Sequence, residues 1–121
     1  MKVSPKRTSR SGDKTRDVVV CVFSREYGKP RPAVVVQSDL FNDTHPSLTL
    51  CPVTGTLRAA PLFRLNVTPS SHNGLKKRSQ IAVDKLATVK VERIQKVIGR
   101  LTDDEIRSVD QALKLWLGIA G

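Results

Sequence analysis

The sequence predicts a mostly β domain, a small barrel or sandwich closed by one C-terminal helix, and three observations carry that prediction. Short β-branched or alternating apolar runs recur along the chain between turn-rich segments. After residue 100 the apolar period changes to that of an amphipathic helix. The length of 121 residues suffices for one core and leaves little room for a second.

VVVCVF (18–23) is continuous and β-branched, a first strand, and SREYGK (24–29) is a polar, glycine-containing loop. In KPRPAVVVQSD (29–39), Pro30 and Pro32 fix their own φ angles, remove two backbone donors and push Lys29 and Arg31 toward extended geometry. Arg31 therefore stands at the mouth of a second strand, Ala33 to Val36, which should form a hairpin with the first. LFNDTHPS (40–47) reads as a loop, SLTLCPV (47–53) as a third strand with its turn at Thr54-Gly55, and LFRLNV (62–67) as a half-exposed fourth. TPSSHNGLKKRS (68–79) is a long connection whose Asn73-Gly74 pair favours positive φ. Further short strands are expected at 80–83, 86–89 and 96–100, and no internal repeat is visible.

Thr102-Asp103-Asp104-Glu105 is a capping box with acids in the first helical turn, where the helix dipole favours them. Ile106, Val109, Leu113, Trp116 and Leu117 follow at helical spacing, so Trp116 is expected in the core, and Gly118 offers a stop.

Lys and Arg total 21 against 11 Asp and Glu, a formal charge of +10 that points to an anionic partner, nucleic acid first. Half of the excess lies in residues 1–16, which hold six basic side chains and one acid, Asp13. That stretch has almost nothing apolar to bury and reads as a disordered basic tail ahead of a domain spanning 17–121, either a nonspecific nucleic-acid arm or an extended start. No run is long and apolar enough for a membrane span or a signal peptide, so a cytoplasmic protein is expected. Cys21 and Cys51 sit in strand-like runs without metal-ligand spacing and read as buried, reduced thiols.

Familiar catalytic sets are missing: no G-x-S-x-G, no P-loop, no dinucleotide fingerprint, and His45 and His72 lack the company of metal ligands. No metal or other cofactor is expected. RNA, however, carries its own nucleophile. A protein that aligns the 2′-OH with the adjacent phosphorus and stabilises the crowded dianionic transition state needs only cations and hydroxyls. Arg31 fits the stabiliser, with a fork that matches phosphate oxygens, and Thr54 can donate a hydroxyl proton to the same group. Spacing alone favours a plainer reading, Arg31 as a solvated strand-entry residue and Thr54 as a turn former.

YGKPRPAVVVQSDLFN, CPVTG, APLFRLNV, PSSHNGL, SQIAVDKL and VIGRLTDDEIRSVDQALKLWLG, in this order, resemble the MazF/PemK family of toxins from bacterial toxin-antitoxin pairs. The resemblance runs from about Asp17 to Gly118. It implies an SH3-like β-barrel of the PemK/CcdB type with a C-terminal helix, a homodimer, and a metal-independent, sequence-specific endoribonuclease. Such an enzyme cuts single-stranded RNA, chiefly mRNA, to leave a 2′,3′-cyclic phosphate and a 5′-hydroxyl. The partner it implies is an antitoxin whose disordered, acidic C-terminal segment folds over the RNA groove.

By the same resemblance the catalytic arginine of the R-P-hydrophobic motif falls on Arg31 and the catalytic threonine on Thr54. The loop over the RNA maps to Arg25, Glu26, Tyr27, Gly28 and Lys29, with Tyr27 suited to stack a splayed base, and the substrate-side segment to Ser79 and Asp84. After Asp84 the chain reads Lys85-Leu86-Ala87-Thr88 where many members have Q-x-R-T, and Arg16-Asp17 replaces their glycine-aspartate opening. Lys76, Lys77 and Arg78 suit tracking of an RNA backbone, though such a run also reads as a solvated loop. Two rivals stay open: a CcdB-like DNA gyrase poison, suggested by the ending LWLGIAG, and a nucleic-acid-binding module without cleavage.

Overall fold

β1 (Asp17–Cys21) and β2 (Arg31–Val35) pair antiparallel with Val18 opposite Val34 and Cys21 opposite Arg31, which is the hairpin the two apolar runs predict. The computed structural model describes residues 13–23 and 29–120. Residues 1–12 of the expected tail and the loop residues Arg25, Glu26, Tyr27 and Gly28 lie outside the described residues.

β2 passes to the longest strand, β3 (Ser47–Thr54), through a single helical turn, α1 (Asp39–Asn42), where the sequence suggested only loop. Ser38 caps that turn by accepting the Leu40 N–H at 3.1 Å. β4 (Arg64–Val67) starts two residues later than expected because 60–63 form a turn, in which the Arg64 N–H donates to the Ala60 carbonyl at 2.8 Å. β5 (Ser79–Ala82), β6 (Ala87–Lys90) and β7 (Ile94–Arg100) follow within a few residues of their expected places.

The strand order is β4-β5-β3-β2-β1-β7, with β6 on the first half of β3. β3 thus serves two sheets, pairing β2 and β6 in one and β5 in the other. Among the described residues no ladder joins the end strands β4 and β7, so the antiparallel sheet is open where the sequence suggests a small barrel or sandwich. A ladder needs both edges to present backbone N–H and C=O groups at matching height.

Both faces of β1, β2 and β3 are covered, which is why their sequences run apolar without alternation. Val18, Val34, Cys51 and Val53 pack on one side with Ile81, Ile106 and Val109. Val19, Cys21, Ala33 and Val35 pack on the other with Leu50 and Ile94. Burial pushes both thiols up to about 12, so Cys21 and Cys51 are free, neutral core groups.

α2 (Asp103–Leu117) starts as expected: the Glu105 N–H donates to Thr102 Oγ1 at 3.2 Å and the Thr102 N–H to Glu105 Oε1 at 2.8 Å. Gly118, at φ 69°, ends it. Its outer end departs from expectation. Trp116 is 48% exposed rather than buried, and Leu115 and Leu117 are exposed as well. The buried stripe ends at Ala112, and beyond it the Trp116 ring meets Phe63 at 5.4 Å between centroids while its other parts face solvent.

Candidate functional site

Where β1, β2 and β7 end together, the sheet opens into a cavity of about 410 Å³. Its floor is apolar, with Val20, Pro32 and Ile98 among the lining residues, and five cations stand around it: Lys29, Arg31, Lys76, Lys77 and Lys96. No Asp or Glu lines it among the described residues.

Arg31 reaches this place through the stiff elbow. It is the first residue of β2, exposed, with Pro30 and Pro32 beside it in the same cavity wall. Pro32 lies opposite Val20 of β1, so its missing N–H falls at the open mouth of the ladder. Among the described residues no carboxylate pairs with Arg31, which lines the cavity and is exposed.

Thr54 ends β3, half-buried between the lining residues Val53 and Gly55. The β2–β3 register, Ala33 opposite Pro52, carries Arg31 and Thr54 to matching positions just past the end of the ladder. Thr54 Oγ1 accepts the Thr56 N–H at 3.1 Å, which orients the oxygen and leaves its own proton to donate elsewhere.

The 68–79 connection is built around Asn73, which is fully buried. Its Oδ1 accepts the Ser70 and Leu75 N–H groups at 3.1 and 3.0 Å, and its Nδ2 donates to the Thr68 carbonyl at 2.9 Å. Gly74 follows at φ 72°, so close to β7 that a Cβ would stand 2.1 Å from the Ile98 carbonyl oxygen. Only glycine satisfies both demands. The turn delivers Lys76 and Lys77 to the rim, and the Lys77 side chain lies across Gly55, its Nζ 2.9 Å from where a Cβ would sit. Ser79, buried at the start of β5, lines the cavity and donates its hydroxyl to the Lys77 carbonyl at 2.9 Å.

Of the residues singled out from the sequence, Lys29, Arg31, Lys76, Lys77 and Ser79 come together here, with Thr54 at the edge. Arg78 is exposed outside the lining. Asp84 is not brought to the cavity: its oxygens accept Nε and Nη2 of Arg64 at 2.7 and 3.1 Å. That pairing holds the Asp84 carboxyl below its ordinary range. Lys96 of β7 is a lining residue that sequence reasoning missed, because nothing in 96–100 beyond its strand pattern marks which face it takes. Among the described residues no group of three or more His, Cys, Asp or Glu side chains is placed to hold a metal ion.

Comparison with known proteins gives consistent matches. A model of the PemK-like, MazF-like toxins of type II toxin-antitoxin systems matches residues 14–117. A probable endoribonuclease MazF from Mycolicibacterium smegmatis is 38% identical over 94 residues, 78% of this chain and 85% of that protein. Among solved structures, the Mycobacterium tuberculosis toxin MazF-mt6 has a TM-score of 0.76 at 20% identity, covering 88% of this chain and all of that one (100%). A MazE-MazF crystal structure from Deinococcus radiodurans has a TM-score of 0.71 at 21% identity, covering 89% and 97% of the two chains. At those identities the structures speak for the fold alone.

Proposed function

The chain belongs to the PemK-like, MazF-like family of type II toxin-antitoxin toxins, and from that premise we propose that it is a metal-independent endoribonuclease acting on single-stranded RNA, chiefly mRNA, in the cytoplasm. The observation that carries the reading is the cavity in which Arg31, pre-set between two prolines, stands among four lysines with no Asp or Glu lining it among the described residues. Such a site binds a phosphodiester backbone and stabilises extra negative charge on it.

In the proposed reaction the 2′-oxygen of one nucleotide attacks the adjacent phosphorus and the bond to the 5′-oxygen of the next breaks. The products are a 2′,3′-cyclic phosphate and a 5′-hydroxyl. Charge peaks on the non-bridging oxygens in the transition state, where the Arg31 fork donates two hydrogen bonds and Thr54 one more. Arg31 does not serve as the base, since a guanidinium keeps its proton in proteins. Lys29, Lys76 and Lys77 hold flanking backbone, and Ser79 fixes the segment that carries Lys77. An SH3-like barrel arrangement of these strands and the homodimer are proposed for the working form, as is a cognate antitoxin whose acidic C-terminal segment covers the cationic rim.

The test is incubation of a long single-stranded RNA with the purified protein in EDTA, with 5′ ends mapped and Arg31→Ala run alongside. Discrete cuts with 5′-hydroxyl ends, lost in the variant, are expected; intact RNA contradicts the reading. A second reading, the CcdB-like gyrase poison, draws on the half-exposed Trp116 and the exposed Leu117 and Ile119 beyond the core. Inhibition of gyrase supercoiling that Trp116→Ala removes and Arg31→Ala leaves intact would select it.

A further inference from the structure

Ile94 and Lys96 are two residues apart on β7, and in a regular strand they would share a face. They do not. Ile94 lies opposite Cys21 and is fully buried in the cluster on the far side of the sheet. Lys96 lies opposite Val20, which lines the cavity, because the register shifts by one residue between Val20 and Cys21 and leaves Gln95 as the extra residue. The irregularity turns a cation that strand parity would send toward the Ile94 core onto the cavity face instead. Bulges recur beside functional sites for this reason: they re-aim one side chain at the cost of a ladder bond.

The cross-strand row is then Pro32 on β2, Val20 on β1 and Lys96 on β7, with Arg31 one residue beyond Pro32. Two strand spacings separate β2 from β7, about 10 Å between backbones. Arg31 and Lys96 both line this cavity, and no acidic side chain lines it among the described residues. Five like charges around one cavity repel each other until an anion with more than one charge enters.

We propose that Lys96 binds the RNA phosphate next to the one held by Arg31, so that the strand is gripped on both sides of the nucleotide lying over Val20 and Ile98. The inference rests on the ribonuclease reading above for its ligand. It assigns Lys96 to substrate binding, distinct from the charge stabilisation given to Arg31.

The experiment measures Kd for a fluorescein-labelled single-stranded 2′-O-methyl RNA, which lacks the attacking hydroxyl, by anisotropy between about 50 and 200 mM salt. Wild type, Lys96→Gln, Lys96→Arg and Lys90→Gln are compared, Lys90 being exposed on β6 outside the cavity. Lys96→Gln is expected to weaken binding about 5- to 10-fold at low salt and to reduce the log–log salt slope by about 0.7, the contribution of one phosphate contact on a single strand. Lys96→Arg should keep the slope. An unchanged slope and Kd in Lys96→Gln, or an equal loss in Lys90→Gln, overturns the proposal. Wild-type protein that binds this RNA but leaves unmodified RNA uncut overturns the ribonuclease reading instead, so the two failures are separable.

Discussion

Arg64 and Arg31 place the same side chain in opposite situations. Arg64, in the wall formed by β4 and the turn after β5, is 7% exposed and donates from Nε and Nη2 to Asp84. Arg31, at the exposed start of β2, meets no carboxylate among the described residues and shares its cavity with four lysines. One guanidinium has its charge consumed by the fold; the other is held ready for an anion from outside. The contrast teaches how to tell a structural ion pair from a binding site in a basic protein: Arg64 lies against an acid in the wall, whereas the cavity cations gather where no acid lines the surface among the described residues.

The contrast predicts opposite phenotypes. Arg31→Ala should lower the cleavage rate by about 10²- to 10³-fold, as removal of a transition-state donor does. Its unfolding free energy from urea titration should stay within about 0.5 kcal/mol of wild type, since the side chain is exposed. Arg64→Ala should do the reverse. It strands Asp84 and costs about 3 kcal/mol, which calorimetry would read as a Tm lower by roughly 10 °C, with cleavage retained wherever the variant is folded.

The carboxylates sharpen the same point through pH. The folded-state value of Asp84 is lowered, first by its hydrogen bonds with Arg64, so its contribution is fully present above the unfolded value near 3.8 and is lost as pH falls through the folded value. Urea unfolding of Asp84→Asn should therefore differ most from wild type at about pH 7 and converge with it below about pH 3.8. Asp17 runs the other way. Burial raises its folded value, so its contribution to stability grows as pH falls through that value toward 3.8, and Asp17→Asn and Asp84→Asn should show opposite trends across the acid limb.

The smallest expected effect is at Gly55, where a Cβ would meet the flexible end of Lys77 at 2.8 Å rather than backbone. Gly55→Ala should leave the Tm unchanged and move Lys77, raising KM for RNA about 2- to 5-fold with kcat little altered.

Much of the fold is legible in the sequence because its signals are local. The Pro30-Arg31-Pro32 elbow, the Thr102 capping box and Gly118 each fix backbone geometry within a turn. Asn73-Gly74 likewise reads correctly as a positive-φ turn. What escaped depends on placement in space. Ladder closure is decided by whether β4 and β7 meet, which no local run encodes. Trp116 keeps the helical spacing of a core residue, yet the core beneath ends one turn earlier. Asp84 carries a motif-like position, but Arg64, 20 residues away, takes its charge. Lys96 takes its face after a bulge at Gln95, which leaves no local mark in the sequence.

The most direct measurement is the single-turnover rate of cutting at one mapped site in EDTA, for wild type, Arg31→Ala and Arg31→Lys at matched folded fraction. The account predicts wild-type cuts with 5′-hydroxyl ends, a fall of at least about 10²-fold in Arg31→Ala, and partial recovery in Arg31→Lys, which restores charge without the fork. Equal rates in all three proteins would contradict it, because Arg31 would then contribute nothing to the transition state.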